Sequence, residues 1–271
     1  MTIETPWIIN VDELEKLLDD SKVVVVDVST KDSYALNHIP GAVFFDYASL
    51  VKHKPPVMGM LADAEQLSQA LSSHGIQPDD YLVVYDEEGG GKAGRFMWTL
   101  EIAGHKKMSL LDGGIVAWAA AGKAISQTHF ERAASEYPME LTDFSGVANA
   151  DYILEHLNDD SVKVLDTRSA NEFAGIDVRG PRGGHIPGAA NIDWLAFKDS
   201  NTQKLNTRES IEALLQQAGI KKSDEVIVHC HSHHRSALVY VALKHLGYDK
   251  VKGYPASWSD WASRTDTPIE I

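Results

Sequence analysis

The residues with the clearest chemical potential lie in one short segment, Cys-His-Ser-His-His-Arg at 230–235. Cys230 is the only cysteine among the 271 residues, so it is the only thiol that this sequence offers. The apolar run before it predicts a strand ending at His229, and the pattern after it predicts a helix beginning near Ser236. A cysteine at such a junction faces unpaired backbone N–H groups and the positive end of a helix dipole, which favour the thiolate. Arg235 adds a planar cation suited to an oxyanion.

This placement favours a reactive thiol beside an anion site over a cysteine that only fills the core. A metal site is the first alternative, because His229, His231, His233 and His234 flank the thiol and imidazole is a good ligand. Residues this close in sequence rarely converge on one ion, so we expect no metal. We instead expect His231, His233 and His234, with Ser232, to donate hydrogen bonds to an anionic substrate.

A phosphatase-like activity is the second alternative, and it requires five residues between the cysteine and the arginine. Here only four residues separate Cys230 from Arg235. The shorter loop predicts a smaller cradle, suited to one sulfur atom rather than to a tetrahedral phosphate.

An internal repeat organises the elements that must position this loop. A strand ending in Asp27 and the sequence His-Ile-Pro-Gly-Ala at 38–42 recur as a strand ending in Asp166 and the same five residues at 185–189. Short β-branched runs alternating with helical patterns predict an α/β fold: two tandem domains, each a mainly parallel sheet flanked by helices. We place these domains at 1–125 and 148–271, with a linker at 126–147.

The repeat also explains the segment of the first half that corresponds to the Cys230 loop. Asp86 stands there in place of the cysteine. Residues 89–94 after it fit the dinucleotide fingerprint G-x-G-x-x-G, a weak signal by itself. Three acidic residues directly before them would repel a pyrophosphate. We therefore interpret 86–94 as a degenerate copy of the 230–235 loop and not as a nucleotide site.

These features together resemble the rhodanese family: His-Ile-Pro-Gly-Ala after a strand ending in Asp, a loop headed by cysteine and closing in Arg-Ser-Ala, then Leu-Gly-Tyr. The resemblance covers nearly the whole chain. It implies a silent N-terminal domain, a catalytic C-terminal domain, Cys230 as the carrier of a persulfide, and no cofactor.

The loop is similar to Cys-Gln-Thr-His-His-Arg of bacterial tandem-domain thiosulfate:cyanide sulfurtransferases. It differs from the loop Cys-Arg-Lys-Gly-Val-Thr of the vertebrate-like thiosulfate enzymes. It also differs from the loop Cys-Gly-Ser/Thr-Gly-Val-Thr of the mercaptopyruvate enzymes. We therefore expect transfer of the sulfane sulfur of thiosulfate to cyanide or a thiol. The alternatives are 3-mercaptopyruvate as donor and a non-catalytic module that binds a partner or carries sulfur.

Some substrate contacts depart from the family pattern. Glu172 stands where other tandem enzymes often place an anion-binding arginine. Arg235, with Arg179 and Arg182, would then have to supply the positive charge. We expect Trp194, which follows the second His-Ile-Pro-Gly-Ala turn, to form a wall of the pocket.

Composition limits the partners and the compartment. The formal net charge of −14 argues against nucleic acid and anionic membranes as partners. The first residues show no basic region followed by a long apolar one, so we expect no secretory signal. No run of about 18 apolar residues is present, so we expect no membrane span. A single cysteine fits a reducing cytoplasm. We expect a cytoplasmic protein, and the family resemblance implies a monomer, because tandem rhodanese pairs usually satisfy their own interface.

Overall fold

The computed structural model describes residues 5–271, which form two compact units. The N-terminal unit comprises 5–51, Ala62–Phe144 and Asp199–Leu205. The C-terminal unit comprises Lys52–Leu61, Ser145–Lys198 and Asn206–Ile271. The predicted boundaries were contiguous in sequence, whereas each unit here takes in one short segment from the other half of the chain. Residues 126–144 of the predicted linker belong to the N-terminal unit, where Ser126 forms a β-bridge with His38.

The N-terminal unit is built on a five-stranded sheet in the order β1-β7-β6-β2-β3, with every pair parallel. Its strands are β1 (Ile8–Ile9), β2 (Val23–Asp27), β3 (Val43–Phe44), β6 (Tyr81–Tyr85) and β7 (Met108–Leu111). Its α-helices are α1 (Val11–Glu15), α2 (Lys31–Leu36), α3 (Ala64–Ser73), α4 (Gly91–Ile102) and α5 (Gly114–Ala120), with a 3₁₀ turn at Tyr47–Leu50.

The C-terminal unit has a four-stranded parallel sheet in the order β11-β10-β8-β9. These strands are β8 (Val162–Asp166), β9 (Ala190–Asn191), β10 (Glu225–His229) and β11 (Val251–Gly253). Its α-helices are α6 (Ala150–Glu155), α7 (Ala170–Phe173), α8 (Arg208–Gln217), α9 (Arg235–His245) and α10 (Ser257–Trp261), with a 3₁₀ turn at Trp194–Phe197. A two-stranded sheet, β4 (Val51–Lys54) and β5 (Val57–Leu61), brings Lys52–Leu61 into this unit.

Helix α9 shows how the sequence sets the elements around the loop. Seven consecutive residues, 237–243, are fully or almost fully buried, which fits a helix that is apolar on all sides and packs within the unit. The helix ends just before Gly247, whose φ of +84° supplies the left-handed residue that closes a helix. The start of α9 at Arg235 agrees with the predicted start near Ser236.

Register makes the two units directly comparable. Asp27 pairs with Tyr85 across β2 and β6, and Asp166 pairs with His229 across β8 and β10. Asp86 and Cys230 are therefore the first residues after equivalent strands. No helix among residues 5–271 is long and apolar enough to cross a bilayer.

Candidate active site

Cys230 lies at the carboxyl end of the central strand β10, the edge of an open parallel sheet at which ligands bind. It is 1% exposed, and the loop that it begins ends five residues later at the first residue of α9. The Cys230 carbonyl accepts a hydrogen bond from the N–H of Trp258 (3.0 Å), and the His231 carbonyl accepts one from Ser259 (3.0 Å). The loop is thus fastened to the start of α10.

The surroundings of the thiol favour its ionised form. Burial by itself raises the pKa of Cys230, but the charge of Arg235 lowers it. The N–H and the hydroxyl of Ser236 and the N–H of Ser232 also donate to the sulfur, and the balance lowers the thiol pKa below its ordinary value. Loop N–H groups at a helix N-terminus thus form an anion-binding nest that favours the thiolate, the nucleophilic form of cysteine.

Two residues with left-handed backbone conformations shape this nest. His233 has a φ of +54° and Ser257 a φ of +51°, a region that non-glycine residues seldom occupy. The Ser257 hydroxyl oxygen accepts hydrogen bonds from the N–H of Cys230 (3.3 Å) and of His233 (3.0 Å), and it donates to the Tyr254 carbonyl (2.6 Å). The buried ring of His233 bonds through Nδ1 to the Ser236 hydroxyl (2.7 Å), and Ser236 is itself a donor to the sulfur.

Arg235 connects the sulfur to a buried carboxylate. Its guanidinium donates from Nη1 to Oε2 of Glu172 (2.6 Å) and from Nη2 to Oε1 (2.9 Å). Although burial raises the pKa of Glu172, Arg235 outweighs this effect and lowers that pKa to about 2. Arg235 also hydrogen-bonds to Cys230, so one cation stands between two anions.

The other predicted residues fall into two groups. Arg179 is half-exposed beside this pair, with its Nε 3.6 Å from Oε1 of Glu172, and the Trp194 ring lies 6.4 Å from the His234 ring. Arg182 lies elsewhere: its guanidinium donates to the carbonyls of four residues in the C-terminal segment, namely Trp261, Ala262, Arg264 and Thr267. Arg182 therefore fastens the C-terminal segment.

The flanking histidines take separate positions. The ring of His229 is fully buried, and burial lowers its pKa. The pKa of His231 is also lowered, by burial and then by the Arg235 charge, so both rings favour the neutral form. Within residues 5–271, no three His, Cys, Asp or Glu side chains are grouped so that they could hold a metal ion.

The segment Lys52–Leu61 covers one side of the loop. The Met58 N–H donates to the Ser259 hydroxyl oxygen (2.9 Å). A Cβ placed on Gly59 would lie 2.3 Å from the Ser232 carbonyl oxygen, so only glycine allows this approach.

Two stretches of the chain, 10–121 and 149–264, match the family model described as "Rhodanese-like domain". The chain belongs to the rhodanese family. It is 38% identical over 266 residues to a thiosulfate sulfurtransferase of Azotobacter vinelandii, covering 98% of this chain and 97% of the relative. It is 31% identical to a 3-mercaptopyruvate sulfurtransferase of Escherichia coli, covering 99% of both chains.

Among solved structures, the chain superposes on SseA from Escherichia coli, a 3-mercaptopyruvate sulfotransferase, with a TM-score of 0.83 at 29% identity. That match covers 94% of this chain and 99% of SseA. The predicted fold class, two tandem rhodanese domains with mainly parallel sheets flanked by helices, is confirmed. So is the prediction that the chain is a sulfurtransferase, since both of these full-length relatives are enzymes of that class.

Sequence reasoning missed three parts of this rhodanese site. Ser257 and Gly59 are far from the loop in sequence and carry no motif that announces a contact with it. Glu172 binds both terminal nitrogens of Arg235, whereas the sequence showed it only as a position where other tandem enzymes often have an arginine. A buried carboxylate requires a cationic partner, but the burial of Glu172 is a property of the fold, so the sequence carries no signal for this pair.

Proposed function

We propose that this protein is a thiosulfate sulfurtransferase that carries the sulfane sulfur as a persulfide on Cys230. The observation that carries the proposal is a single buried thiol whose pKa is lowered by Arg235 and by loop N–H groups. The full-length similarity to the thiosulfate sulfurtransferase of Azotobacter vinelandii favours thiosulfate as donor.

The reaction proceeds in two displacements. The Cys230 thiolate attacks the outer sulfur of thiosulfate, a bond forms between the two sulfurs, and the bond to the sulfonate sulfur breaks. The electron pair of that bond leaves with sulfite. The terminal sulfur of the resulting persulfide anion accepts hydrogen bonds from the loop N–H groups, as the thiolate did. Cyanide or a thiolate acceptor then attacks this sulfur and restores the Cys230 thiolate.

The residues have distinct roles in this cycle. Cys230 is the nucleophile, and Arg235 faces both the sulfur and the sulfonate of the donor. Ser232 and Ser236 hold the sulfur anion, while Ser257 and His233 position the loop. His231 and His234, with Trp194 and Arg179, form the rim. Arg182, whose guanidinium is used by carbonyl groups, has no place in the donor site.

Intact mass of the purified protein before and after thiosulfate, and again after cyanide, tests the proposal. We expect a gain of one sulfur atom with thiosulfate and its loss with cyanide. Cys230→Ala should show neither change. Normal turnover by Cys230→Ala would overturn the mechanism, because no second cysteine is present.

3-Mercaptopyruvate is the second candidate donor, favoured by the 31% identity to the Escherichia coli enzyme. Sulfur gain with 3-mercaptopyruvate and none with thiosulfate would assign that donor instead.

The proposal also includes the oligomeric state and the location: a monomer in the cytoplasm. Light scattering after size exclusion tests the first, and cell fractionation tests the second.

A further inference from the structure

The pairing of Arg235 with Glu172 bears on how the site distinguishes donors. Both planar groups are largely buried: the Arg235 side chain is 17% exposed and the Glu172 side chain 2%. Both terminal nitrogens of the guanidinium donate to the carboxylate, at 2.6 and 2.9 Å. The two terminal nitrogens of a guanidinium bind one oxyanion at a time in this bidentate way. In this arrangement that oxyanion belongs to the protein.

The carboxylate is fixed in this position by its own helix. Glu172 is the third residue of α7, and its Oε2 accepts from the N–H of Ser169 (3.3 Å) and from the Ser169 hydroxyl (3.2 Å) in a capping box. Arg179 approaches Oε1 from the exposed side at 3.6 Å. Glu172 is therefore held against Arg235 by the local fold and does not depend on a flexible loop.

Of these two cations, Arg235 is the one that contacts the sulfur, because Arg179 meets Glu172 from the exposed side. With the Cys230 thiolate on one side and the Glu172 carboxylate on the other, Arg235 is one cation shared by two anions. A donor that brings a sulfonate to the sulfur needs the same guanidinium. A doubly charged donor, and the sulfite that leaves, meet more repulsion here than a singly charged donor does.

We propose that Glu172 competes with the sulfonate of the donor for the Arg235 guanidinium and thereby sets the selectivity of the site for donor charge. The inference rests on the proposed function and adds a specificity-determining residue to it. The same competition promotes release of sulfite, because the carboxylate reclaims the guanidinium as the product leaves.

Steady-state kinetics with two donors of different charge test this inference. Thiosulfate is a dianion, and methanethiosulfonate is a monoanion that delivers the same sulfane sulfur and leaves as methanesulfinate. In Glu172→Gln, the thiosulfate KM and the sulfite inhibition constant should both fall roughly tenfold, whereas the methanethiosulfonate KM should change about twofold or less.

Two further variants keep the test decisive. Glu172→Asp keeps the charge but cannot reach both nitrogens of the fork, so the ratio of the two KM values should lie between those of the wild type and Glu172→Gln. Glu212→Gln is the matched control, because Glu212 is a half-exposed carboxylate of α8 that pairs with Lys222 and Arg208. It removes the same charge and should leave the ratio unchanged.

The outcomes separate this inference from the proposed function. Equal changes in both KM values, or a rise in the thiosulfate KM alone, would mean that Glu172 only orients Arg235, and the inference would be overturned. A ratio unchanged in both Glu172 variants would overturn it equally. Failure of the wild type to gain sulfur from either donor would instead overturn the proposed function.

Discussion

The loops that follow β6 and β10 have the same length but hold different anionic groups. Asp86 and Cys230 are equivalent residues, and helices α4 and α9 begin five residues after each. The Asp86 carboxylate accepts the N–H groups of Glu88 (3.0 Å), Gly90 (2.7 Å) and Ala93 (2.9 Å). In the N-terminal unit, an anion that belongs to the chain fills the nest permanently. In the C-terminal unit, the Cys230 sulfur occupies the equivalent place, where we propose that it takes on a further sulfur.

The two loops shift the pKa of the residue at their start in opposite directions. Burial raises the pKa of Asp86, and the nearby Glu88 raises it further. Arg235 lowers the pKa of Cys230 despite burial, whereas the equivalent residue in the first loop is Gly91. The nest of N–H groups is thus common to both units, whereas an arginine at the start of the helix is particular to one. The cation nearest Asp86 is Lys92, which is paired with Glu87 (2.7 Å) and Glu88 (3.8 Å). We therefore propose that the backbone creates the anion site and that Arg235 activates the Cys230 thiol as a nucleophile.

The two units also differ in residue type at two equivalent positions where the backbone is left-handed in both. Gly89 (φ +81°) and Gly114 (φ +53°) occupy these positions in the N-terminal unit, and His233 and Ser257 occupy them in the C-terminal unit. A non-glycine residue in this conformation costs about 1–3 kcal/mol, and such strain collects at functional sites. Here it places the Ser257 hydroxyl under the loop and the His233 ring against Ser236.

The largest effect is expected from Cys230→Asp, which copies the first loop into the second. The carboxylate should fill the nest as that of Asp86 does, so thiocyanate formation should fall to background while the protein stays folded. We expect it to melt at or above the temperature of Cys230→Ala, measured by circular dichroism. Melting far below Cys230→Ala would show that the two nests are not equivalent.

Arg235→Ala should have the next largest effect, because it removes the cation that distinguishes the two loops. We expect kcat/KM for thiosulfate to fall roughly 100-fold, as when an oxyanion-binding donor is lost. The Glu172 carboxylate would remain buried without its partner, lowering the free energy of unfolding by about 3 kcal/mol. Chemical denaturation and donor kinetics measure these two quantities.

The pH dependence of the same variant tests the electrostatic argument. Because Arg235 lowers the pKa of Cys230, its removal should raise that pKa and leave less thiolate at neutral pH. The rate of alkylation by iodoacetamide should then rise with pH over a higher range than in the wild type. Arg235→Lys is the control: it keeps the charge, so its alkylation profile should stay close to that of the wild type. An unmoved profile in Arg235→Ala would assign the low pKa to the loop N–H groups alone.

The same comparison shows what the sequence could predict. The strands around both loops, helix α9 and the family followed from local apolar patterns and from a repeated motif, which are properties of neighbouring residues. The hydrogen bond between Ser257 and Cys230 joins residues 27 apart, and the Arg235–Glu172 pair joins residues 63 apart. Such contacts depend on how turns bring distant segments together, and no periodicity encodes them.

Arg182 illustrates the same limit from the other side. In the sequence it resembles Arg179, since both are cations just before the second His-Ile-Pro-Gly-Ala turn. In the fold, Arg179 lies beside Glu172, whereas the Arg182 guanidinium is used by the carbonyls of the C-terminal segment. The charge of the side chain alone could not predict these different positions. The acceptors that bind Arg182 are backbone carbonyls about 80 residues away in sequence.

The smallest effect is expected where the comparison is sharpest, in Asp86→Cys introduced into Cys230→Ala. The new thiol would meet loop N–H groups like those around Cys230, but Gly91 would stand in place of an arginine. The nearby Lys92 is already paired with Glu87 (2.7 Å) and Glu88 (3.8 Å). We therefore expect no gain of sulfur from thiosulfate by intact mass, although iodoacetamide labelling of the denatured protein should confirm that the thiol is present. Adding Gly91→Arg in the same background is the companion test. Sulfur gain without that arginine would mean that the N–H nest suffices for persulfide formation, and that Arg235 serves mainly to bind the donor.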